Sequence, residues 1–236
     1  MSRTARIDIP NVPHRVKQRG NNRQDVFFTT DDRHAYLALL LDRCTTVGVE
    51  VLGYCLMTNH VHLILIPPDA DALAHAVGRT HFAYTQHVNR LHARCGHLWQ
   101  GRFYSSPLDE THLWRALAYI ERNPVRARLV RLAWRWPWSS AAAHVATARD
   151  TTGLLNEADW HTAWTPERWR QQLTEPTDDA WRLRFWRAAH TGRPLADDAW
   201  LAKLESSLGR RLRPNPVGRP RRPKQQRQPR RKRRSK

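Results

Sequence analysis

Residues 49–66 read Val49-Glu50-Val51-Leu52-Gly53-Tyr54-Cys55-Leu56-Met57-Thr58-Asn59-His60-Val61-His62-Leu63-Ile64-Leu65-Ile66. They form two apolar, β-branched runs separated by Thr58-Asn59, a pair suited to a turn, and the pattern predicts a β-hairpin closed by Pro67-Pro68. Upstream, Gly48 ends a helix predicted over Asp31 to Val47, where Tyr36, Leu37, Leu40 and Leu41 recur at helical spacing behind an Asp-rich cap. Before it, an extended piece from Pro13 to Gln18 runs into a turn at Gly20-Asn21-Asn22. Downstream, Asp71 to Leu91 reads as a helix with Leu73, Val77, Phe82, Tyr84 and Val88 for its buried side, and Trp99 to Ser106 as extended chain. A last helix, capped by Asp109 or Thr111, carries Leu113, Leu117, Tyr119 and Ile120. It must stop near Asn123, because Pro124 disfavours helix in the residue before it; Pro124 can open a further short turn. The class these elements define is α+β, a small antiparallel sheet with helices packed on it.

Residues 1–130 read as that domain, 131–208 as a Trp- and Arg-rich helical extension docked on it, and 209–236 as a basic tail. The chain has 236 residues and a net charge of +19, far more than solubility requires, which points to a polyanion and first to nucleic acid. Of its 40 Lys+Arg, 14 lie between Gly209 and Lys236 with no acid among them, leaving only +5 for residues 1–208. So basic and apolar-poor a tail is expected to be disordered when free. No apolar run approaches the ~20 residues of a membrane span, and the N-terminus lacks the order of a signal peptide, so the chain reads as cytosolic. Cys44, Cys55 and Cys95 are odd in number and form no C-x-x-C pair, which predicts buried free thiols rather than disulfides or a thiolate zinc site.

On a strand, His60 and His62 point to one face while Val61, Leu63 and Leu65 point to the other. Two adjacent imidazoles suit a divalent metal, and they suit equally a pair of histidines that happen to neighbour one another on a sheet surface. Tyr119 and Asn123 stand four apart on the last turn of a helix, so a phenol and an amide oxygen can be delivered together. A phenol is a weak nucleophile at neutral pH unless a nearby metal favours the phenolate. Taken alone, Tyr119 fits a buried side chain whose hydroxyl finds a partner, and Asn123 a helix cap.

Five stretches, in order, resemble the REP-associated tyrosine transposases, a branch of the IS200-like single-tyrosine HUH transposases. They are residues 14–23 (HRVKQRGNNR), 57–65 (MTNHVHLIL), 98–103 (LWQGRF), 119–127 (YIERNPVRA) and 136–140 (WPWSS). The resemblance implies a ferredoxin-like HUH domain in which His60 and His62 bind Mg2+ or Mn2+, with Asn123 as third ligand. It also implies that Tyr119 attacks a single-stranded phosphodiester, giving a 5′-phosphotyrosine and a free 3′-hydroxyl. Partners would be hairpins formed by palindromic repeats in a bacterial nucleoid, and the chain would work as monomer or homodimer. Lys17 and Thr58 depart from the usual pattern without removing a catalytic atom. Tyr84 and Tyr104 are rival nucleophiles by residue type only.

Arg15, Arg19, Arg23, Arg79, Arg90, Arg102 and Arg126 supply positive charge to such a site. Residues 217–223 (VGRPRRP) resemble an AT-hook, in which Arg219, Arg221 and Arg222 would read a narrow A·T minor groove; a merely solvated basic tail would bind phosphates without base preference. The tryptophans between Trp160 and Trp186 can stack on unpaired bases, although at helical spacing most suit a core. Three other functions fit less well or equally. Histidine-triad nucleotide hydrolysis needs a third histidine where Ile64 stands. A domesticated transposase that binds hairpins without cutting would not need His60, His62 and Tyr119 together. Binding of RNA hairpins fits the charge equally well.

Overall fold

A computed structural model describes residues 6–213. Four strands, β1 (His14–Arg19), β2 (Glu50–Met57), β3 (His60–Ile66) and β4 (Tyr104–Pro107), form one sheet in the order β2-β3-β1-β4, every pair antiparallel. With helix α1 (Thr30–Val47) between β1 and β2, and α2 (Arg79–Leu91) between β3 and β4, this is the ferredoxin-like arrangement. The β2–β3 hairpin pairs Met57 with His60 across Thr58-Asn59, and the loop carbonyls of Thr58 and Asn59 accept from Val26 and Gly20, which ties the turn to the first segment.

Local chemistry explains the boundaries. Thr29 and Asp32 exchange side-chain and backbone hydrogen bonds in a capping box at the start of α1, and Gly48 ends that helix at φ 67°, where a Cβ would be strained. Helix α3 (Glu110–Glu121) begins at Asp109, whose side chain accepts from His112 N. It gives way at Arg122 to the short turn α4 (Asn123–Arg126), where Pro124 sits in the first turn and its missing N–H is no loss.

The sheet's two faces have different fates. Val16, Val61, Leu63 and Leu65 join α1, α2 and Trp99 in one apolar core. On the other face Ile64 and Leu52 meet Leu113, Leu117 and Ile120 of α3. Gly53 is what allows α3 so close, since a Cβ there would lie 2.3 Å from Leu117 Cδ1 and 2.9 Å from Ser140 Oγ. Beyond α3 come α5 (Ala141–His144), α6 (Ala158–Ala163), α7 (Pro166–Thr174), α8 (Asp179–Thr191) and α9 (Asp198–Leu208). Trp160, Trp169, Trp181 and Phe185 from this region are buried against α3.

Three expectations need correction. Phe82 is 60% exposed rather than part of the core. A π-turn at Ala74–Gly78 precedes α2 and its wider winding rotates the following face, so His81 takes the inward position with Tyr84 and Val88. The extended piece is a strand only from Tyr104; Trp99 makes a lone bridge to Gly20, and Gly101 at φ 131° breaks the run between them. Cys44 and Cys55 are buried free thiols, whereas Cys95 is exposed. Among the described residues, no helix is long and apolar enough to cross a membrane.

Candidate active site

In the β1–β3 register, Lys17 faces His62 and Arg19 faces His60, so alternation places Arg15, Lys17, Arg19, His60 and His62 on one face of the sheet. Tyr119 and Asn123, at the end of α3 and the start of α4, overhang that face. All of these, with Arg126 and Trp186, line one cavity of about 260 Å³. No Asp or Glu is among its lining residues.

The two imidazoles stand with ring centroids 4.9 Å apart, nearly perpendicular. Asn59 fixes His60: its amide nitrogen donates to Arg23 O, which leaves its oxygen to accept from His60 Nδ1 at 2.7 Å. That assignment puts the proton on Nδ1 and leaves the lone pair on Nε2 for a ligand. Burial, then the charges of Arg19, Lys17, Arg15 and Arg126, lower the His60 pKa to about 3; burial and His60 hold His62 well below its ordinary value. Both rings are therefore neutral at physiological pH, the state a metal requires.

Arg15 is only 4% exposed and meets no carboxylate; its Nη2 donates to His62 Nδ1 at 3.4 Å, its guanidinium lies 4.2 Å over the Phe185 ring, and its Nε has no partner in the protein. Burial brings Arg15 down to about 10 and Lys17, hemmed in by Arg15, Arg19 and Arg126, to about 8. Asn123 donates to Ile120 O and accepts through Oδ1 from Arg126 Nη1 at 3.3 Å. Tyr119 is 3% exposed, packed against Phe185 and Trp181 of α8, with the Arg126 guanidinium 4.1 Å over its ring. Its hydroxyl accepts a hydrogen bond from Trp186 Nε1 at 2.7 Å.

Of the other arginines, Arg19, Arg23 and Arg102 line a second basic cavity of about 250 Å³ that shares Lys17 and Arg19 with the first and has Tyr104 in its wall. Arg79 and Arg90 do not join them, because α2 covers the opposite face of the sheet. Arg219, Arg221 and Arg222 lie outside the described residues. Tyr84 is fully buried on that opposite face, where its hydroxyl donates to Val26 O, so it cannot reach the histidines.

Sequence reading missed the support behind Tyr119. Glu121, fully buried, accepts from Ser140 Oγ, from His144 Nδ1 at 2.6 Å and from Trp169 Nε1 at 2.9 Å, clamping the last turn of α3 to α5 and α7. Nothing in the sequence pairs these residues; the only signal is an acid that directly follows the apolar run Ala116–Ile120. Trp186 was read as one aromatic among many, and only the fold brings it to the phenol.

Paired imidazoles on one strand, a helix-borne tyrosine above them and a cationic lining without acids make a cavity suited to an anionic group. Residues 14–123 match the model of the IS200-like transposase family. Among solved structures, a REP-associated tyrosine transposase bound to a REP hairpin shares the fold at 20% identity, with a TM-score of 0.51 over 66% of this chain and 89% of that one. A candidate transposase from Deinococcus radiodurans matches at 22% identity and a TM-score of 0.34, over 51% of this chain and 97% of that one. No curated protein matches the chain.

Proposed function

We propose that the protein is a metal-dependent single-strand DNA endonuclease and strand transferase that acts on hairpin-forming repeats through a 5′-phosphotyrosine. The observation that carries this reading is the convergence of Tyr119, His60, His62 and Asn123 in one cationic cavity. Tyr119 Oη would attack the phosphorus, forming the phenolic ester as the bond to the 3′-oxygen breaks; reversal by another 3′-hydroxyl would rejoin strands without an external energy source. Trp186 Nε1 orients the phenolic oxygen, and Arg15, Lys17 and Arg126 sit where the phosphate's charge would be.

Among the described residues, no group of three or more His, Cys, Asp or Glu could hold a metal. Two neutral imidazoles and an amide oxygen nevertheless fit Mg2+ or Mn2+, with His60, His62 and Asn123 as protein ligands and the remaining positions left to water and phosphate oxygens. Bound there, the ion would supply polarisation of the phosphate. The hairpin substrate is supported by the fold neighbour solved with a REP hairpin. Residues 131–208 serve in this reading as the platform that backs Tyr119, and 209–236 as a further grip on DNA. One observation favours binding without cutting: Tyr119 is nearly covered by α8.

The test is cleavage of 5′-labelled single-stranded oligonucleotides, built from palindromes flanking the gene, with Mg2+ or Mn2+. Wild type should form a covalent adduct. Tyr119→Phe should abolish it, and His60→Ala/His62→Ala should slow cutting at least ~100-fold. Tight hairpin binding with no cleavage in any of these conditions would establish the non-catalytic binder instead.

A further inference from the structure

Two of the three candidate ligand groups already accept a hydrogen bond from the protein itself. Arg15 Nη2 donates to His62 Nδ1, and Arg126 Nη1 donates to Asn123 Oδ1, so two of the three donor groups turn a lone pair toward a guanidinium. Lys17 and Arg19 stand in the same cavity, giving four cationic side chains and no carboxylate around the place a divalent ion would occupy. Metal sites that load on their own are built the other way, with anionic oxygens offsetting the ion's charge. The surroundings here oppose a free dication twice, by repulsion and by holding the ligand atoms.

The same surroundings are suited to an anion. Arg15 is a buried cation with an unpartnered Nε and no acid to neutralise it, an arrangement that costs the fold stability unless a ligand supplies the missing charge. A phosphodiester entering this cavity gives Arg15 and Arg126 better acceptors than an imidazole and an amide.

We propose that this cavity is a phosphate site first and a metal site second: a DNA phosphodiester binds without metal, takes Arg15 and Arg126 away from His62 and Asn123, and itself completes the ligand set of the incoming cation. The inference rests on the metal-dependent reading above and adds an order to it. Metal and DNA are positively coupled, and by linkage each strengthens the other equally.

The experiment uses full-length Tyr119→Phe protein, which cannot form the adduct, and follows Mn2+ binding by electron paramagnetic resonance with and without saturating dT10, alongside dT10 affinity in EDTA. The expected result is weak Mn2+ binding alone, tightened at least tenfold by dT10, which corresponds to about 1.4 kcal/mol of coupling, and measurable dT10 binding in EDTA. Adding Arg15→Gln/Lys17→Gln should tighten Mn2+ binding without DNA, weaken dT10 and shrink the coupling. Arg126→Gln, on a surface turn, should do the same with less effect on folding. Equal Mn2+ affinity with and without dT10, no Mn2+ binding in either case, or dT10 binding only with Mn2+ would overturn the proposal. The parent reading is scored separately by the wild-type adduct: coupling without an adduct keeps the phosphate-first site and removes the nuclease, whereas an adduct without coupling does the reverse.

Discussion

His81 is fully enclosed between Tyr36 and Trp99, shares a 3.1 Å hydrogen bond with Tyr36 Oη, and has its pKa lowered to about 3 by burial. The unfolded chain protonates the same ring near its ordinary 6.5, so between these values the unfolded state binds the extra proton and stability rises with pH. Contributions from His14, His60 and His62, also lowered by burial, have the same sign. The protein should therefore weaken as pH falls from about 6.5 toward 3, His81 alone adding a slope of up to about 1.4 kcal/mol per pH unit. Urea unfolding at successive pH values checks this. His81→Gln, which keeps a partner for Tyr36, should lower stability at pH 7 and flatten the acid limb; an unchanged limb would mean that His81 is not neutral in the folded state. The sequence could not announce such a residue, because a histidine in a helical pattern carries no mark of burial until the turn before it is known.

Helix α3 is held from two sides, by Gly53 of β2 beneath it and by the Glu121 cluster behind it. In Gly53→Ala the new methyl meets Leu117, which is fully buried and has nowhere to turn, and Ser140 Oγ, which is bonded to Tyr54 N and Glu121. The cost should be about 1–3 kcal/mol, read as a lower urea midpoint, and adduct formation should fall further than stability alone explains because α3 carries Tyr119. Glu121→Ala leaves the buried His144 Nδ1 and Trp169 Nε1 without their acceptor, Ser140 Oγ keeping Tyr54 O, and should cost about 3–5 kcal/mol. Retention of wild-type midpoints in both would show that α3 is positioned by other contacts. The contrast between these devices and the hairpin explains what the sequence disclosed. Strand alternation set the face of His60 and His62, and Pro124 set the end of α3, because both are local rules acting within a few residues. The π-turn at Ala74–Gly78 breaks helical periodicity without a proline or glycine pair to signal it, and so the inward side of α2 was misread at Phe82. Glu121 meets partners 19, 23 and 48 residues away, a separation at which only the folded chain has information.

At the scale of the whole molecule, positive charge is concentrated in the basic cavities on the sheet face and in the segment after Arg213. Residues 214–236 hold 11 of the 40 Lys+Arg and no acid, so truncation after Arg213 takes the net charge from +19 to +8. Phosphate contacts made by this segment would appear as counterion release, with each lost contact to single-stranded DNA making the plot of log affinity against log salt shallower by about 0.7. The truncated chain should bind a labelled hairpin more weakly at low salt and with a shallower salt slope, while Mn2+ coupling to dT10 in the Tyr119→Phe background stays as it is, since every cation lining the cavity is retained. A hairpin whose flanking duplex is A·T-rich separates two modes of action for Arg219, Arg221 and Arg222. If truncation costs more affinity on the A·T-rich duplex than on a G·C-rich one, these arginines read the narrow minor groove; an equal loss on both assigns them to the phosphates alone. An unchanged slope on either duplex would place the phosphate contacts on residues 1–213, which retain both basic cavities around Lys17.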